Sequence, residues 1–289
     1  MKNKRKMGRY LFLGILIITC LLAIIIPANT WNSQKVKNSR IIHNSKLNPV
    51  ILIPGSSATQ NRFDELIDVL NTSTNRAHSL LKITVQKTGE LKITGKIAKR
   101  DMQPFIVVGF EDNSNGYSSI KKQAKWFNAA FNYLSDKYKF NQFSGIGHSN
   151  GGLIYTAFLE KYFDNKAASI NTLMTIGSPY NGEETNQSTR TQMLTDFVAD
   201  RKKIPTDLVL YSIAGTENYT NDGIVPYQSV NAGKYIFQNQ AKSYTEITVT
   251  GNESEHSDLP QNKQIVALIK QYVMDSNDSK KNGPDDKKQ

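Results

Sequence analysis

The segment GHSNG at 147–151 has the pattern G-x-S-x-G, which is typical of a serine nucleophile. Such a serine must sit on a turn tight enough to project its hydroxyl, and the flanking glycines let a strand and a helix pack closely around it. Apolar residues at 143–146 predict a strand before the motif, and the mostly apolar run 153–162 predicts a helix after it. The alternative is a glycine-rich loop with an incidental serine, but this context favours a nucleophile at Ser149.

A serine nucleophile needs a base, and only one of the four histidines is suitably placed. His43 lies in a polar N-terminal segment, and His78 lies far upstream of the serine. His148 adjoins Ser149 on a turn that we expect to point its side chain elsewhere. His256 alone lies downstream, between the last predicted strand and the last predicted helix, in a polar context that would equally suit a surface histidine. Its position relative to Ser149 makes His256 the candidate base.

The base in turn needs a carboxylate that fixes its tautomer. The aspartates between the serine and the candidate base are Asp164, Asp196, Asp200, Asp207 and Asp222. Asp222 lies in the segment that follows the predicted strand 208–214, and functional loops of a parallel sheet lie at the carboxyl ends of its strands. The Asp-Gly pair there would also suit an ordinary turn, whereas a calcium loop fits poorly because a glutamate twelve residues after Asn218 is missing. Asp222 is therefore the predicted carboxylate.

The negative charge that develops on a substrate oxygen during acyl transfer needs backbone N–H donors. One donor is expected at Asn150, directly after the nucleophile. The other is expected at Ser56, in the turn that follows the first predicted strand at 50–53. A backbone donor does not depend on the side chain, so serine is acceptable at position 56.

Strands that alternate with helices are needed to bring these residues to one edge of a sheet. The strongest helical pattern has apolar residues at steps of four and three: Ile120, Ala124, Phe127, Phe131, Leu134 and Tyr138. Two alternating segments, 81–86 and 91–95, are joined by Thr-Gly-Glu and predict a hairpin. The whole pattern predicts an α/β fold with a mostly parallel sheet flanked by helices. The polar segment at about 183–204 is expected to form a small cap over the pocket.

The order nucleophile, acid, base along the chain resembles that of the α/β-hydrolase superfamily. More narrowly, the chain resembles exported, membrane-anchored cell-surface hydrolases of Gram-positive bacteria that carry a domain of unknown function. The resemblance covers about 50–275 and rests on three motifs: GHSNG at 147–151, GSPYNG at 177–182 and DGIVP at 222–226. The usual His-Gly of the oxyanion strand is Pro54-Gly55 in this chain. The resemblance implies an α/β-hydrolase fold and serine-dependent hydrolysis of esters, lipids included, without fixing the substrate.

Charge is unevenly distributed along the 289 residues, whose formal net charge is +11. Residues 1–48 hold nine Lys and Arg and no acidic residue, whereas 49–275 hold 23 basic and 22 acidic residues. A protein that binds nucleic acid would concentrate positive charge on its folded part. Nucleic acid is therefore not an expected partner.

The N-terminus has the pattern of a membrane-targeting segment. Residues 1–9 carry five basic groups, and 10–26 carry no charge. As a helix the uncharged run spans about 25 Å, close to the hydrocarbon core of a thin bilayer. The basic flank predicts that it stays in the cytoplasm while the rest is exported. We expect a single-pass anchor in the cell membrane over 10–28 with the catalytic domain outside, and the alternative is a signal peptide cleaved near Ala28 that releases the protein.

The chain divides accordingly into five segments. They are the basic flank 1–9, the anchor or signal segment 10–28, a stalk 29–48, the α/β-hydrolase domain 49–275 with its cap insert, and a disordered polar tail 276–289. The domain is long enough to bury one substantial core. Cys20 is the single cysteine of the chain, which excludes an internal disulfide.

The scattered histidines have no zinc-binding spacing, and neither a metal nor another cofactor is expected. The expected partners are a small-molecule or lipid ester as substrate and the lipid bilayer around the N-terminal helix, and we expect a monomer. Two alternatives remain open. One is a non-catalytic cell-surface binding module on the same fold. The other is an acyltransferase, which would use the same residues to pass an acyl group to an acceptor other than water.

Overall fold

The structure, a computed structural model, describes residues 45–72, 77–186, 188–217 and 219–274. The predicted flank, the predicted anchor at 10–28, most of the stalk and the tail at 276–289 lie outside these residues. Among the residues that are described, no helix is long and apolar enough to cross a membrane.

One eight-stranded sheet runs through the described region. Its strands in chain order are β1 Val50–Ile53, β2 Leu80–Val85, β3 Leu91–Gly95, β4 Phe105–Phe110, β5 Gln142–His148, β6 Ser169–Ile176, β7 Val209–Thr216 and β8 Ser243–Thr250. Across the sheet they follow the order β3-β2-β4-β1-β5-β6-β7-β8, and every neighbouring pair is parallel except β2 and β3. The predicted α/β fold with a mostly parallel sheet is confirmed.

Helices lie in the connections between the strands. The α-helices are α1 Asp64–Thr72, α2 Tyr117–Tyr138, α3 Asn150–Lys161, α4 Gln192–Asp200, α5 Tyr227–Asn231, α6 Lys234–Phe237 and α7 Lys263–Ile269. Short 3-10 segments occupy Arg201–Lys203 and Leu259–Gln261, and a π-helical turn occupies Lys270–Met274.

Helices cover both faces of the sheet, which explains why the central strands are apolar along their whole length. All residues of β1 and β4 are buried. Along β1, Ile51 belongs to one apolar cluster and Leu52 to the other, as the alternation of a strand requires. The first cluster contains the aromatic contact between α2 and α3, where the rings of Phe127 and Phe158 lie 4.8 Å apart. The second contains apolar residues of α1 and α7.

Two helices have bounds that differ from the apolar patterns. The helix after the G-x-S-x-G motif begins at Asn150 rather than 153, because its first turn contains two glycines that carry no periodicity. The last helix begins at Lys263, where the side chain of Asn262 accepts hydrogen bonds from the backbone N–H groups of Gln264 and Ile265. Its regular part ends at Ile269 and continues as the π-helical turn.

The predicted cap insert contains a helix that its polar composition concealed. Helix α4 is amphipathic, and the residues that it buries are Met193, Leu194 and Phe197. Thr191 caps it, because its hydroxyl oxygen accepts a hydrogen bond from the backbone N–H of Leu194 at 3.2 Å. One face of helix α4 therefore packs into the interior of the protein.

Glu160, in the last turn of α3, is a buried carboxyl group. Only 3% of the residue is exposed, and neither carboxyl oxygen has a hydrogen-bond partner among the described residues. Burial raises the pKa of Glu160 to about 9, and the nearby carboxylate of Asp200 adds to that shift, while Lys161 opposes it. At neutral pH the Glu160 side chain is therefore uncharged.

We expect Glu160 to make the stability of the fold depend on pH. The folded state keeps the proton up to about pH 9, whereas the unfolded chain releases it near pH 4.5. The free energy of unfolding should thus fall as the pH rises between these values, by up to about 1.4 kcal/mol per pH unit. Glu160→Gln should remove this fall in the free energy of unfolding, which would be measured by urea titrations from pH 5 to 9. Parallel pH curves for the wild type and Glu160→Gln would contradict the assignment, and Glu65→Gln, which alters an exposed carboxylate of α1, is the control.

Candidate active site

Ser149 lies on the turn between β5 and α3, as the motif predicts. Its backbone has φ 54° and ψ −125°, a left-handed conformation that is costly for a residue with a side chain. Its N–H donates to the carbonyl of Ile176 at 2.8 Å, which ties the turn to the end of β6. The chain therefore holds the serine in a strained, fixed position at the carboxyl end of the sheet, which is the geometry of a nucleophile elbow.

Asp222 and His256 form a buried pair beside this turn. The Nδ1 atom of His256 lies 2.7 Å from Oδ2 of Asp222, and the backbone N–H of His256 donates to the Asp222 carbonyl, also at 2.7 Å. The other carboxylate oxygen, Oδ1, accepts from the N–H groups of Ile224 at 3.1 Å and Val225 at 2.7 Å. The Asp222 carboxylate can only accept, so Nδ1 of His256 carries a proton and Nε2 is left as the atom that takes one.

Gly177 provides the space in which this pair lies. It follows β6 directly, and its φ is 57°. A Cβ atom at this position would lie 3.1 Å from Oδ2 of Asp222 and 3.2 Å from Nδ1 of His256. Glycine is required here for two reasons, because other residues rarely adopt this φ and because any side chain would crowd the pair.

Ser149 and His256 line the same cavity without a direct hydrogen bond between their side chains. Within the described residues, no hydrogen bond connects Oγ of Ser149 with the imidazole of His256. The three residues predicted for catalysis are thus brought together, with the aspartate–histidine bond formed and the serine–histidine bond open. Catalytic hydrogen bonds in empty sites are often long and tighten when substrate binds.

The two predicted N–H donors lie beside the serine. Ser56 and Asn150 both line the cavity, and no carbonyl or carboxylate among the described residues accepts from their backbone N–H groups. The turn that carries Ser56 lies against Ser149, since a Cβ atom on Gly55 would lie 2.6 Å from Cβ of Ser149. The side-chain amide of Asn150 donates to Asn115 Oδ1 at 2.9 Å, so this side chain is held by the loop before α2. Sequence reasoning missed Asn115.

The cavity has a volume of about 810 Å³, and its lining is more apolar than polar. Its apolar lining comes from α2, α3, α4 and the Asp222 loop: Tyr117, Ile120, Leu153, Met193, Ile224 and Val225. The predicted cap insert does reach the site, through Met193 and its neighbour Gln192. The charged residues in the lining, other than histidine, are Arg62 and Glu183. A cavity of this size and composition suits a small organic ligand with an apolar part.

The expectation that His148 points away from the site is wrong. The residue is buried, lines the cavity, and packs beside His256 with ring centroids 4.8 Å apart and the ring planes tilted by 37°. Its Nε2 atom lies 2.9 Å from the carbonyl oxygen of His256. Burial lowers the pKa of His148 well below the usual range for histidine, and the neighbouring cation Arg62 acts in the same direction. Sequence spacing could not show this contact, because the two histidines are 108 positions apart.

Two other aspartates that the sequence offered are engaged outside the Ser149 site. Asp196 accepts hydrogen bonds from the hydroxyl of Tyr117 at 2.9 Å and from the amide of Gln192 at 2.7 Å. Asp200 forms ion pairs with Lys161 and Lys203. Within the described residues, no group of three or more His, Cys, Asp or Glu side chains is arranged to hold a metal ion.

Comparison with known proteins identifies the family. A family model described as "Alpha/beta hydrolase of unknown function (DUF915)" matches residues 37–276. A solved structure from Lactobacillus plantarum WCFS1, described as a "putative cell surface hydrolase", is 53% identical over 82% of this chain and 97% of its own, with a TM-score of 0.74. A structure from Listeria innocua is 29% identical over 78% of this chain and 94% of its own, with a TM-score of 0.72.

No curated protein sequence matches the chain. The family match covers most of the sequence, and it includes the strand, elbow and loop segments that carry Ser149, Asp222 and His256. The fold and the family model therefore agree with the resemblance seen in the motifs. The chain belongs to the family of α/β hydrolases of unknown function.

Proposed function

We propose that the protein is a serine hydrolase that cleaves carboxylic esters, with Ser149 as nucleophile, His256 as base and Asp222 as the carboxylate that orients the base. The observation that carries this proposal is the 2.7 Å bond between Nδ1 of His256 and Oδ2 of Asp222. It fixes the histidine tautomer that a serine nucleophile requires, in the cavity that Ser149 also lines.

The steps of the reaction follow from the proton on Nδ1 of His256 and the free Nε2 of the same ring. Nε2 of His256 takes the proton of the Ser149 hydroxyl while Oγ attacks the ester carbonyl, and the imidazolium that forms is stabilised by the Asp222 carboxylate. The N–H groups of Ser56 and Asn150 donate to the oxygen that becomes negative. The imidazolium then protonates the leaving alcohol, and an ester between Ser149 and the acyl group remains. Water, deprotonated by the same imidazole, releases the acid and restores Ser149.

The cavity supports an ester with an apolar part rather than a highly charged substrate. Aliphatic, aromatic and thioether side chains from α2, α3 and α4 contribute to its wall, and the charged residues in the lining other than histidine are one cation and one anion, Arg62 and Glu183. Tyr117 of this wall packs edge-on against Phe197 of α4, with ring centroids 6.0 Å apart, and bonds to Asp196. The cap helix and the wall are therefore held together, and this pre-formed surface can take up an acyl or alcohol chain.

We place the catalytic domain outside the cytoplasm, attached through the uncharged segment 10–28. The basic flank before this segment supports that orientation. The Lactobacillus plantarum structure described as a "putative cell surface hydrolase" supports the same location. Protease treatment of intact cells tests the proposal, because a domain outside the membrane is digested and a domain inside it is protected.

Loss of either predicted proton-transfer partner should abolish ester cleavage without unfolding the protein. Ser149→Ala and His256→Ala should each lower kcat for p-nitrophenyl acetate by about 10³-fold or more, because the residues act as a unit. Asp222→Asn should cost less, since it misorients the base without removing it. Circular dichroism and the thermal midpoint should show that all three variants are folded.

The chain offers a matched control in a second Asp–His pair, in which Asp101 is buried and His78 is partly buried. Nδ1 of His78 lies 3.0 Å from Oδ1 of Asp101, at the amino ends of β2 and β4 and away from the cavity. His78→Ala and Asp101→Asn should lower stability and leave kcat per folded molecule nearly unchanged. Full activity in Ser149→Ala, or equal losses in both pairs, would contradict the proposed mechanism.

A side chain at position 177, which is not one of the three proposed catalytic residues, should crowd the Asp222–His256 pair and slow the reaction. Gly177→Ala places a Cβ atom within about 3.2 Å of both partners, so the rate of labelling by a fluorophosphonate probe should fall at least about tenfold. The left-handed backbone should also cost ~1 kcal/mol of stability. Gly89→Ala is the matched control, because Gly89 has φ 89° in the β2–β3 hairpin and nothing lies near its Cβ position. Equal labelling rates in the two variants would show that Gly177 does not serve the pair.

A further inference from the structure

His148 is a buried histidine that the proposed reaction does not use. It is the last residue of β5, directly before the nucleophile, and it is 4% exposed. Its Nε2 atom lies 2.9 Å from the carbonyl oxygen of His256. A carbonyl oxygen can only accept, so Nε2 of His148 carries the hydrogen and donates it.

The other ring nitrogen of His148 fixes its charge. Nδ1 is buried and has no hydrogen-bond partner among the described residues, so a proton placed there would be unsatisfied. Burial lowers the pKa of His148 well below the usual range. The ring is therefore neutral, and it does not repel the His256 imidazolium that forms 4.8 Å away during the reaction.

The hydrogen bonds that hold His256 come from different parts of the fold. The N–H and Nδ1 atoms of His256 are both bound to Asp222, on the loop after β7. Its carbonyl is bound to His148, which belongs to the strand that carries Ser149. The next carbonyl along, that of Ser257, accepts from the guanidinium of Arg62. Of the side chains that bind the His256 residue, only His148 ties the base to the nucleophile's own strand within the described structure.

We propose that His148 is a positioning residue whose Nε2–H donor, by holding the His256 carbonyl, sets the distance between the His256 imidazole and the Ser149 hydroxyl. This inference rests on the proposed function, because a positioning role has meaning only if His256 is the base. Because no hydrogen bond joins the Ser149 hydroxyl to the His256 imidazole among the described residues, their separation depends on how firmly the backbone of His256 is held relative to β5. His148 supplies that restraint through the backbone carbonyl of His256.

Three substitutions of His148 separate the donor from the ring. His148→Gln keeps an amide N–H at about the distance of Nε2, His148→Asn keeps one only at about the distance of Nδ1, and His148→Phe keeps a buried ring with no donor. Hydrolysis of p-nitrophenyl acetate would be measured over a range of substrate concentrations, together with the thermal midpoint of each variant. We expect kcat to fall about tenfold or more in His148→Asn and His148→Phe, with KM within about twofold of wild type. In His148→Gln, kcat should stay within about threefold of wild type.

Several results of these measurements would overturn the proposal. Equal kcat values in His148→Gln and His148→Asn would overturn the proposal, because the donor at the Nε2 position would then have no role. Wild-type kcat in His148→Phe would overturn it as well. A His148→Gln variant as inactive as His256→Ala would also overturn it, since His148 would then take part in proton transfer. If His148→Phe fails to fold, the comparison of His148→Gln with His148→Asn decides alone. If the wild type shows no hydrolysis that depends on Ser149, the proposed function fails before the inference is reached.

Discussion

The buried hydrogen bond between Asp222 and His256 is the interaction on which the arrangement of the site depends. A carboxylate that is 1% exposed is stable in a protein only if its oxygens are satisfied, and here two backbone N–H groups and one imidazole nitrogen do so. These donors come from loops after β7 and β8, which are adjacent parallel strands. The sheet order therefore makes the bond available, and Gly177, after β6, leaves room for it.

The position of Ser149, the proposed nucleophile, depends on a different part of the same edge of the sheet. Ser149 is held in a left-handed conformation by its bond to β6 and by the close approach of the turn at Gly55. The two halves of the site are thus built on different loops, and no hydrogen bond joins the side chains of Ser149 and His256 within the described residues. His148 connects the two halves, because it adjoins Ser149 on β5 and its side chain hydrogen-bonds to the backbone of His256. This neutral ring links the two halves without adding charge to the cavity.

Much of the fold could be predicted from the sequence because its signals are local. Apolar runs marked the buried strands, the G-x-S-x-G motif marked the turn at Ser149, and chain order and strand ends singled out Asp222 and His256. The features that were missed depend on tertiary contacts. Helix α4 was concealed by a polar composition, the burial of Glu160 depends on what packs over α3, and the bond between His148 and His256 joins residues 108 positions apart. The segment 10–28 lies outside the described residues, so its role stays a prediction.

The central claim is that Ser149 becomes acylated during turnover, and trapping of that intermediate tests it most directly. The protein would be mixed with an ester whose acyl-enzyme hydrolyses slowly, quenched in acid within milliseconds to seconds, and examined by intact-mass and fragment-ion mass spectrometry. The account predicts a mass increase of one acyl group per chain, located on Ser149 and absent when His256 is replaced by Ala. Turnover of the ester with no adduct, or with the adduct on another residue such as His148, would contradict it.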